Sequence, residues 1–407
     1  MQLIRREPDA VRAALARRGP DAAAGVDRVL ELDQRWREIR TALEELQAEQ
    51  NRASRGRRGP PTPEEREQLA QLAARGRELS DSETAVRVER DSALASLPNL
   101  PAADAPDEDT ELRQVGEAGA TGRDHLELAG SRIDMERGAR LSGSRFAYLR
   151  GDLVMLEFAL VRYALEKLRG LGFEPVVPPV LVRERALYGT GFLPDTEQQI
   201  YHLPEDDLYL VGTSEVALAS LHDDEILAEA DLPARYAGFS TCFRREAGAA
   251  GKDTRGIFRV HQFDKVEMFS FVRPSEGAEE HERLLAIEES ILTELGIPYR
   301  VVAIAVDDLG ASAAKKYDCE AWLPGQGRYR ELTSTSNTTD YQARRLGIRF
   351  RPAEGRPEFV HTLNGTAVAV GRTIIALLEN GQRDDGSVAL PDALVGYGAP
   401  AVLPPAV

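Results

Sequence analysis

The first hundred residues carry two runs of apolar positions with the spacing of paired helices. In the first run the spacing alternates between four and three residues, as in a coiled-coil seam. Its apolar members are Leu32, Trp36, Ile39, Leu43 and Leu46, and the register continues through Gln50 to Ala53. The second run consists of Leu69, Leu72, Leu79, Val86, Ala93 and Leu97, and it is interrupted by Gly76, Glu83 and Arg90. Each run predicts a long helix with one apolar face.

A turn rich in Gly and Pro, residues 56–63, separates the two runs. Thr62 and Glu65 have the spacing of a capping box, and Pro63 occupies the first helical position. The pattern therefore predicts an antiparallel helical hairpin. Its tip is basic and carries Arg52, Arg55, Arg57 and Arg58. Two interpretations are open: a solvated turn on a dimerisation hairpin, or a basic finger that contacts an RNA backbone.

The pattern changes after residues 98–109, a stretch rich in Pro and acid that predicts a linker. Helical periodicity follows over 146–169, 276–295 and 366–379, and strand-like runs cover 172–182, 208–211, 258–263, 266–271 and 301–306. Strands in pairs with few crossover helices predict an α+β fold with an antiparallel sheet. We expect an N-terminal arm over 1–100, a linker over 101–115 and a second domain over 116–400.

Composition favours a soluble globular protein, with 42% hydrophobic and 29% charged residues. No apolar run approaches the roughly 20 residues that cross a bilayer, so no membrane association is expected. The first 20 residues are charged and lack the apolar core of a secretion signal. Two cysteines cannot form a disulfide framework or a Cys-rich zinc site. A cytoplasmic location without zinc is therefore expected.

The net charge of −16 argues at first against a nucleic-acid partner, because phosphate contacts need Lys and Arg. The distribution weakens that argument. Residues 1–100 hold 18 Arg, no Lys and 18 acidic residues, so the whole negative excess lies after them. RNA would meet less repulsion at the N-terminal third of the chain.

Motif searches exclude several enzyme classes, since the phosphate loop, the dinucleotide fingerprint, the nucleophile elbow and HExxH are all missing. The segment 241–269, TCFRREAGAAGKDTRGIFRVHQFDKVEMF, is the candidate for chemistry. It predicts a strand, a Gly-rich loop and a return strand, on which Arg244 and Glu246, and then Arg259, His261 and Phe263, alternate on one face. Arginine forks suit phosphates and an aromatic ring suits a purine. A solvated charged sheet face remains the alternative.

The same segment resembles motif 2 of the class II aminoacyl-tRNA synthetases, in its seryl-tRNA synthetase form. GTSEVAL at 212–218 resembles that family's serine-binding loop. RELTSTSNTTDYQARR at 330–345 resembles its metal- and ATP-binding strand, and HTLNGTAVAVGRTIIALLENGQ at 361–382 resembles motif 3. The region 146–182 resembles motif 1, the dimer interface. The resemblance implies the class II fold, an antiparallel sheet flanked by helices, with a coiled-coil arm before it.

The resemblance also implies a role for individual residues around ATP. Arg244 would hold the α-phosphate and the serine carboxylate, Glu246 the adenine amino group, and Arg259 the γ-phosphate. Phe263 would stack under adenine, Arg372 would close the other side, and Glu331 and Ser334 would bind Mg²⁺. The remaining implied ATP contacts are Arg245, Val260, Leu332 and Thr333.

For serine, the resemblance implies that Thr213 and Glu215, with Ser214 beside them, receive the α-amino group. Glu267, Asn364 and Thr366 would surround the hydroxyl. Rejection of alanine would then rest on polar groups left unpaired, and rejection of threonine on pocket size.

The family resemblance extends to partners. It implies a homodimer in which the arm of one subunit contacts tRNA(Ser) bound to the other, with tRNA(Sec) as a further acceptor. Carrier-protein ligases related to the family lack the long hairpin and use a Cys/His zinc site, and non-catalytic relatives lose motif arginines. This chain has the hairpin, few cysteines and Arg244, Arg259 and Arg372. Motif 3 fits a housekeeping enzyme and a specialised second copy equally.

Overall fold

The computed structural model describes residues 1–54, 62–193, 199–247, 253 and 255–406. The described part of the chain divides into two compact units, Met1–Leu100 and Pro101–Val407. The region predicted as a linker, 101–115, belongs to the second unit. Ala105 is buried against residues of that unit, and residues 110–115 form an edge strand of its sheet.

The first unit is helical and is built around a long antiparallel pair. Its helices are α1 (Gln2–Arg6), α2 (Pro8–Ala16), α3 (Pro20–Ser54) and α4 (Pro63–Ser96). The predicted capping box is present at the start of α4, where Thr62 Oγ1 accepts from Glu65 N at 3.2 Å and Glu65 Oε2 accepts from Thr62 N at 2.8 Å. Leu32 and Leu46 of the first seam and Leu72 and Val86 of the second are buried, which confirms the predicted hairpin.

The polar residues that interrupt the second seam pair with polar residues of α3. Trp36 Nε1 donates to a Glu83 oxygen at 2.7 Å, and the Arg90 guanidinium lies 4.4 Å from the centre of the Trp36 ring. Asp33 is fully buried beside the seam. Its Oδ1 lies 2.7 Å from Arg5 Nη2 and 3.6 Å from Arg90 Nη1. Polar groups at seam positions specify the register of a helix pair.

The second unit is organised around a large, mostly antiparallel sheet with strand order β1-β11-β12-β13-β16-β10-β9-β4. Its strands are β1 (Thr110–Val115), β4 (Glu174–Val176), β9 (Ala234–Phe243), β10 (Gln262–Val272), β11 (Tyr299–Ala303), β12 (Lys315–Leu323), β13 (Arg328–Thr339) and β16 (His361–Ala369). Only the β4–β9 pair is parallel among the described strand pairs of this sheet. The predicted α+β class is confirmed.

Shorter strands form small sheets around the large one. They are β2 (Ile133–Asp134), β3 (Tyr148–Leu149), β5 (Leu181–Val182), β6 (Tyr201–Leu203), β7 (Leu208–Leu210), β8 (Ile226–Ala228), β14 (Arg349–Arg351), β15 (Glu358–Phe359), β17 (Val388–Ala389) and β18 (Val402–Leu403).

Helices cover the sheet and complete the core. They are α5 (His125–Ala129), α6 (Met135–Ser142), α7 (Asp152–Gly170), α8 (Glu184–Thr190), α9 (Glu215–Ala219), α10 (Gly277–Glu294), α11 (Tyr341–Leu346), α12 (Val370–Asn380) and α13 (Asp392–Val395). The main hydrophobic core joins α7, α10 and α12 to the sheet, and a second cluster joins α9 and α11 to β10. No helix in the described ranges is long and apolar enough to cross a membrane.

Three predicted elements have different limits in the structure. The helix predicted from residue 146 begins at Asp152, after β3. The run 258–263 is a strand only from Gln262, and residues 366–369 belong to β16 rather than to a helix. In each case the apolar pattern identifies a buried segment, but periodicity over so few residues cannot separate a strand from a helix or a bend.

Candidate active site

A cavity of about 450 Å³ opens beside β9, β10, β13 and β16, a size typical of small-molecule sites. Most of the residues predicted for ATP or serine line it. They are Thr213, Glu215, Arg244, Glu246, Arg259, Val260, Phe263, Glu267, Glu331, Leu332, Ser334, Asn364, Thr366 and Arg372. Residues from four separated stretches of sequence therefore meet in one cavity.

Three residues predicted for this site lie outside the cavity lining. Arg245 is exposed, and its backbone N donates to Gln199 O at 2.9 Å. Ser214 is fully buried at the start of α9. Thr333 lies on the opposite face of β13, where its hydroxyl donates to Glu288 Oε2 at 2.8 Å. The side chains of neighbouring strand residues point to opposite faces, which places Thr333 away from Ser334.

The predicted RNA contacts belong to the other compact unit. Arg52 is exposed near the end of α3. Arg55, Arg57 and Arg58 lie outside the described residues.

The predicted strand alternation of Arg244 and Glu246 is wrong, because β9 ends at Phe243 and β10 begins only at Gln262. A backbone clamp holds this segment instead. Arg244 N donates to His261 O at 2.9 Å, and His261 Nδ1 donates to Arg244 O at 2.8 Å. Glu246 has φ of 51°, in the left-handed region that non-glycine residues rarely adopt. That conformation places its carboxylate 2.6 Å from Arg259 Nη1.

One end of the cavity is rich in arginine. Besides Glu246, Arg259 faces Asp253, whose Oδ2 lies 3.7 Å from Arg259 Nε. Arg372 Nη1 donates to Glu331 O at 2.9 Å and lies 3.4 Å from the Glu331 carboxylate. Burial acts to raise the pKa of Glu331, but the charges of Arg372 and of other cations outweigh it, and the pKa is lowered. The Glu331 carboxyl is therefore ionised at neutral pH.

Two phenyl rings accompany these arginines. Phe263 has the Arg244 guanidinium 5.3 Å from its ring centre. The Phe258 ring centre lies 3.8 Å from the Arg330 guanidinium and 4.6 Å from the Arg372 guanidinium. All three distances are within the range at which a guanidinium and an aromatic ring attract each other.

The other end of the cavity is acidic and buried. Glu215 Oε1 accepts from Gln342 Nε2 at 2.7 Å and from Asn364 Nδ2 at 3.0 Å, while Glu267 pairs with Lys265. Burial, followed by the nearby charge of Glu267, raises the pKa of Glu215 to about 7. When a buried carboxylate is hydrogen-bonded by neutral amides, a cationic ligand group that binds beside it stabilises its ionised form.

Arg244 acts on both ends of the cavity. Its charge lowers the pKa of Glu215 and also that of Glu331. Its Nε donates to Gly212 O at 3.2 Å, and no other described residue accepts a hydrogen bond from its side chain. Two terminal nitrogens of the guanidinium are therefore available for a ligand.

Sequence reasoning missed part of the lining. The missed residues are Thr190, Gly191, Phe192, Ile257, Phe258, Lys265, Gly310, Ala311, Ser312, Ala313, Lys316, Ser336, Ala369 and Gly371. Phe258 and Lys265 lie inside the motif 2 segment, and their alternation with Val260 and Glu267 was a usable signal. Thr190 is the last residue of α8, and residues 191–192 and 310–313 belong to connecting segments. None of these residues is charged, so nothing in their sequence marked them.

Both cysteines, Cys242 and Cys319, are free and buried. Within the described ranges no cluster of three or more His, Cys, Asp or Glu side chains is arranged to hold a metal ion.

Comparison with known proteins gives two family matches. A model described as the seryl-tRNA synthetase N-terminal domain matches residues 1–101. A model described as the class II tRNA synthetase core domain (G, H, P, S and T) matches residues 200–381.

Full-length relatives and solved structures agree with these matches. Proteins named serine–tRNA ligase from Thermobifida fusca and Acidothermus cellulolyticus are 50% and 52% identical, over 100% of this chain and 98% and 99% of theirs. The crystal structure of seryl-tRNA synthetase from Pyrococcus horikoshii, complexed with ATP, superposes with a TM-score of 0.94 at 40% identity, covering 100% of this chain and 99% of that one. The cytoplasmic serine–tRNA ligase of Naegleria fowleri, solved with AMP, gives 0.87 at 32% identity, covering 98% and 96%. The chain belongs to the seryl-tRNA synthetase family.

Proposed function

We propose that the chain activates L-serine with ATP, forming seryl-adenylate and pyrophosphate, and then transfers serine to tRNA(Ser). The observation that carries the proposal is a single cavity with a buried acidic end and an arginine-rich end. Arg244 acts electrostatically on both. Such a cavity can bind the ammonium group of an amino acid at its acidic end and a polyphosphate at its arginine-rich end, so that the two substrates lie next to each other.

At the arginine-rich end we assign Arg244 to the α-phosphate and Arg259 to the γ-phosphate. Phe263 stacks on adenine, Glu246 accepts from the adenine amino group, and Arg372 closes the far side. The Glu246–Arg259 pair at 2.6 Å supports this assignment, because it orients both side chains toward the cavity before the nucleotide enters. Val260 and Leu332 border the same space.

At the acidic end we assign Glu215 and Thr213 to the serine α-ammonium group. Glu267, Asn364 and Thr366 surround the hydroxyl. The buried Lys265–Glu267 pair supports this role, since it holds the Glu267 side chain in the cavity wall, where a carboxyl oxygen can accept a hydrogen bond from the hydroxyl. Alanine would leave these buried groups unpaired.

The chemistry needs placement and charge neutralisation more than a base. The serine carboxylate is ionised at pH 7, and one of its oxygens attacks the α-phosphorus as the bond to the bridging oxygen of pyrophosphate breaks. Arg244 and Arg259 neutralise charge on the attacked and departing phosphates. In the second step a ribose hydroxyl of the tRNA attacks the seryl carbonyl carbon, and AMP leaves.

Glu331 and Ser334 would hold Mg²⁺ together with ATP phosphate oxygens. An ionised carboxylate and a hydroxyl on one cavity wall suit a hard cation that is commonly bound by one or two carboxylates plus substrate phosphates. Mg²⁺ neutralises phosphate charge when bound. The protein residues orient the phosphates around it.

For the N-terminal unit we propose contact with the tRNA backbone, with the exposed Arg52 as one contact and tRNA(Sec) as a second acceptor. We also propose a homodimer through motif 1. Support comes from α7, where Met155 is 52% and Phe158 62% exposed, an unusual exposure for large apolar side chains on one helix. A cytoplasmic setting completes the proposal.

The activation half-reaction is tested by ATP–pyrophosphate exchange across the twenty amino acids. We expect exchange with serine and much weaker exchange with alanine, threonine and cysteine. Exchange that depends on another amino acid would reject the serine assignment. No exchange with any amino acid, by a folded protein, would reject adenylate formation.

The transfer half-reaction is tested by deleting residues 34–95, most of the helical hairpin. Serine-dependent exchange should persist while charging of tRNA(Ser) is lost, because the activation site belongs to the other compact unit. Unchanged aminoacylation by the shortened protein would refute a role of the hairpin in tRNA binding.

A further inference from the structure

His125, a buried histidine outside the cavity lining, is held by hydrogen bonds at both ring nitrogens. Its Nδ1 lies 3.1 Å from Glu379 Oε1, and its Nε2 accepts from Ile257 N at 3.3 Å. An Nε2 that accepts from an N–H carries no proton, so the proton of the neutral ring is on Nδ1 and is donated to Glu379. The ring thus has one defined tautomer.

The partner carboxylate is itself held in place. Glu379, fully buried on α12, also accepts from His125 N at 3.1 Å, and its Oε2 accepts from Gly325 N at 2.9 Å. Glu379 follows Arg372 by seven residues, about two helical turns, so both side chains leave the same side of α12. The helix that supplies Arg372 therefore also anchors the His125 ring.

On its other side the ring fixes the segment in which motif 2 returns to the sheet. Gly256 has φ of +77°, and a Cβ there would lie 2.0 Å from His125 Nε2. Arg255 pairs with Asp124 at 2.8 Å, just before His125 in the chain. Ile257, the residue after Gly256, donates its backbone N–H to His125 Nε2. Backbone, charge and ring contacts thus converge on residues 255–257.

This segment leads directly into the nucleotide end of the cavity. Ile257 and Phe258 line the cavity, and Phe258 O accepts from Arg372 Nε at 3.4 Å. Arg259, the proposed γ-phosphate ligand, is the next residue in the chain after Phe258. The acidic end is supplied by β10, β16 and α9, and His125 forms no hydrogen bond with these elements in the described part of the chain.

We propose that His125 is a positioning residue for ATP: its unprotonated Nε2 holds the Ile257 amide, and so aligns Phe258 and Arg259 with Arg372. The inference rests on the proposed function. The His125 ring acts on the nucleotide end of the cavity and not on the acidic end. Loss of the acceptor at Nε2 should weaken ATP binding and leave serine binding unchanged, which a general structural role would not do.

Two substitutions of similar size separate the two ring nitrogens. In His125→Gln the side-chain oxygen reaches the position of Nε2 and can still accept from Ile257 N. In His125→Asn the shorter amide can donate to Glu379 in place of Nδ1, but leaves Ile257 N–H buried and unpaired. His222→Asn is the matched control, since His222 likewise joins a glutamate, Glu225 at 2.8 Å, to another group, Tyr236 at 2.8 Å, and does not line the cavity.

The experiment measures serine-dependent pyrophosphate exchange with varied ATP and varied serine. We expect His125→Asn to raise the KM for ATP about tenfold, since a buried donor loses its acceptor, with the KM for serine changed by less than about twofold. His125→Gln and His222→Asn should stay close to wild type. Equal KM values for ATP in the Asn and Gln variants would overturn the proposal, as would a parallel rise of both KM values in His125→Asn.

Hydrogen exchange at the Ile257 amide gives a readout independent of activity. Its protection should fall in His125→Asn and persist in His125→Gln; protection unchanged in the Asn variant would also overturn the proposal. Gly256→Ala, which places a Cβ against the ring, should resemble His125→Asn. If the wild-type protein showed no exchange with serine, the proposed function would fail, while the amide measurement would still test the hydrogen bond.

Discussion

The helical hairpin and the active-site cavity treat buried charge in opposite ways. In the hairpin, Asp33 is fully buried and is surrounded by Arg5, Arg37 at 3.2 Å, and Arg90. Burial acts to raise its pKa, but the Arg5 hydrogen bond and the surrounding cations outweigh it, and the pKa is lowered. In the cavity, Glu215 is also buried, but among the described residues its carboxylate accepts hydrogen bonds only from the side-chain amides of Gln342 and Asn364, and its pKa rises to about 7.

The difference separates structural from functional charge. A buried carboxylate that is paired with arginines of the protein itself, as Asp33 is, stabilises one register of the helix pair. Its charge is already compensated, so it does not attract a cationic ligand. A buried carboxylate without such a cation costs stability, which a cationic ligand group offsets. Arg244 is the positive counterpart of Glu215, with one hydrogen bond from its side chain to the described protein. Incomplete pairing therefore identifies the site better than charge alone.

The largest effect is expected for Arg244→Ala. Exchange of pyrophosphate into ATP should fall by about three orders of magnitude, because a donor to the transferring phosphate is lost. The melting temperature should change little, since among the described residues the side chain makes one hydrogen bond, to Gly212 O, beside its contact with the Phe263 ring. Arg245→Ala is the matched control, as Arg245 is the next residue, is exposed and does not line the cavity. Wild-type exchange in the Arg244 variant, or an equal loss in both, would contradict the assignment.

A smaller effect, on stability alone, is expected for Asp33→Ala. Unfolding of the N-terminal unit in urea should become easier by about 1–3 kcal/mol, since three arginines lose their common partner and Arg5 and Arg37 can still reach solvent. Asp27→Ala, which breaks an exposed pair with Arg12, should cost less than about 0.5 kcal/mol. Similar costs for the two variants would refute the distinction between buried and exposed pairs.

The pH dependence of serine binding tests the incomplete pairing of Glu215. Serine should bind the ionised carboxyl, which is the minor form below a pKa of about 7. The KM for serine should therefore rise about tenfold from pH 8 to pH 6, while the KM for ATP should not follow it. Gln342→Leu removes a hydrogen bond that lowers this pKa and should move the inflection to higher pH. A flat KM for serine over this range would contradict the assignment.

The smallest effect is expected for Thr62→Ala at the start of α4. Loss of the hydrogen bond that the Thr62 hydroxyl accepts from Glu65 N should destabilise the N-terminal unit by about 1 kcal/mol, measured by urea unfolding. Thr84→Ala, at an exposed position inside the same helix, should be neutral or slightly stabilising, because alanine favours helix interiors. An unchanged midpoint for the Thr62 variant would show that the cap contributes nothing to the folded arm.

Much of the fold could be predicted from local patterns. Heptad spacing predicted α3 and α4, and Thr62, Pro63 and Glu65 predicted where α4 begins, since capping depends only on residues within one turn. Paired apolar runs predicted the α+β class. Predictions failed where an element ends, as at Phe243 and Gln262, because chain direction there depends on contacts such as the Arg244–His261 clamp.

The candidate site divides in the same way. Residue type and spacing predicted a role for Arg244, and the family resemblance implied roles for Glu215 and Arg372. Only the tertiary structure decided that Arg245 and Thr333 lie outside the cavity lining and that the Phe258 ring contacts two arginines. It also decided that Glu83 and Arg90, which interrupt the apolar seam, pair with residues of α3. Sequence determines which groups a chain can present, but burial and pairing depend on neighbours that are distant in sequence. Those neighbours make Asp33 a structural charge and leave Glu215 for a ligand.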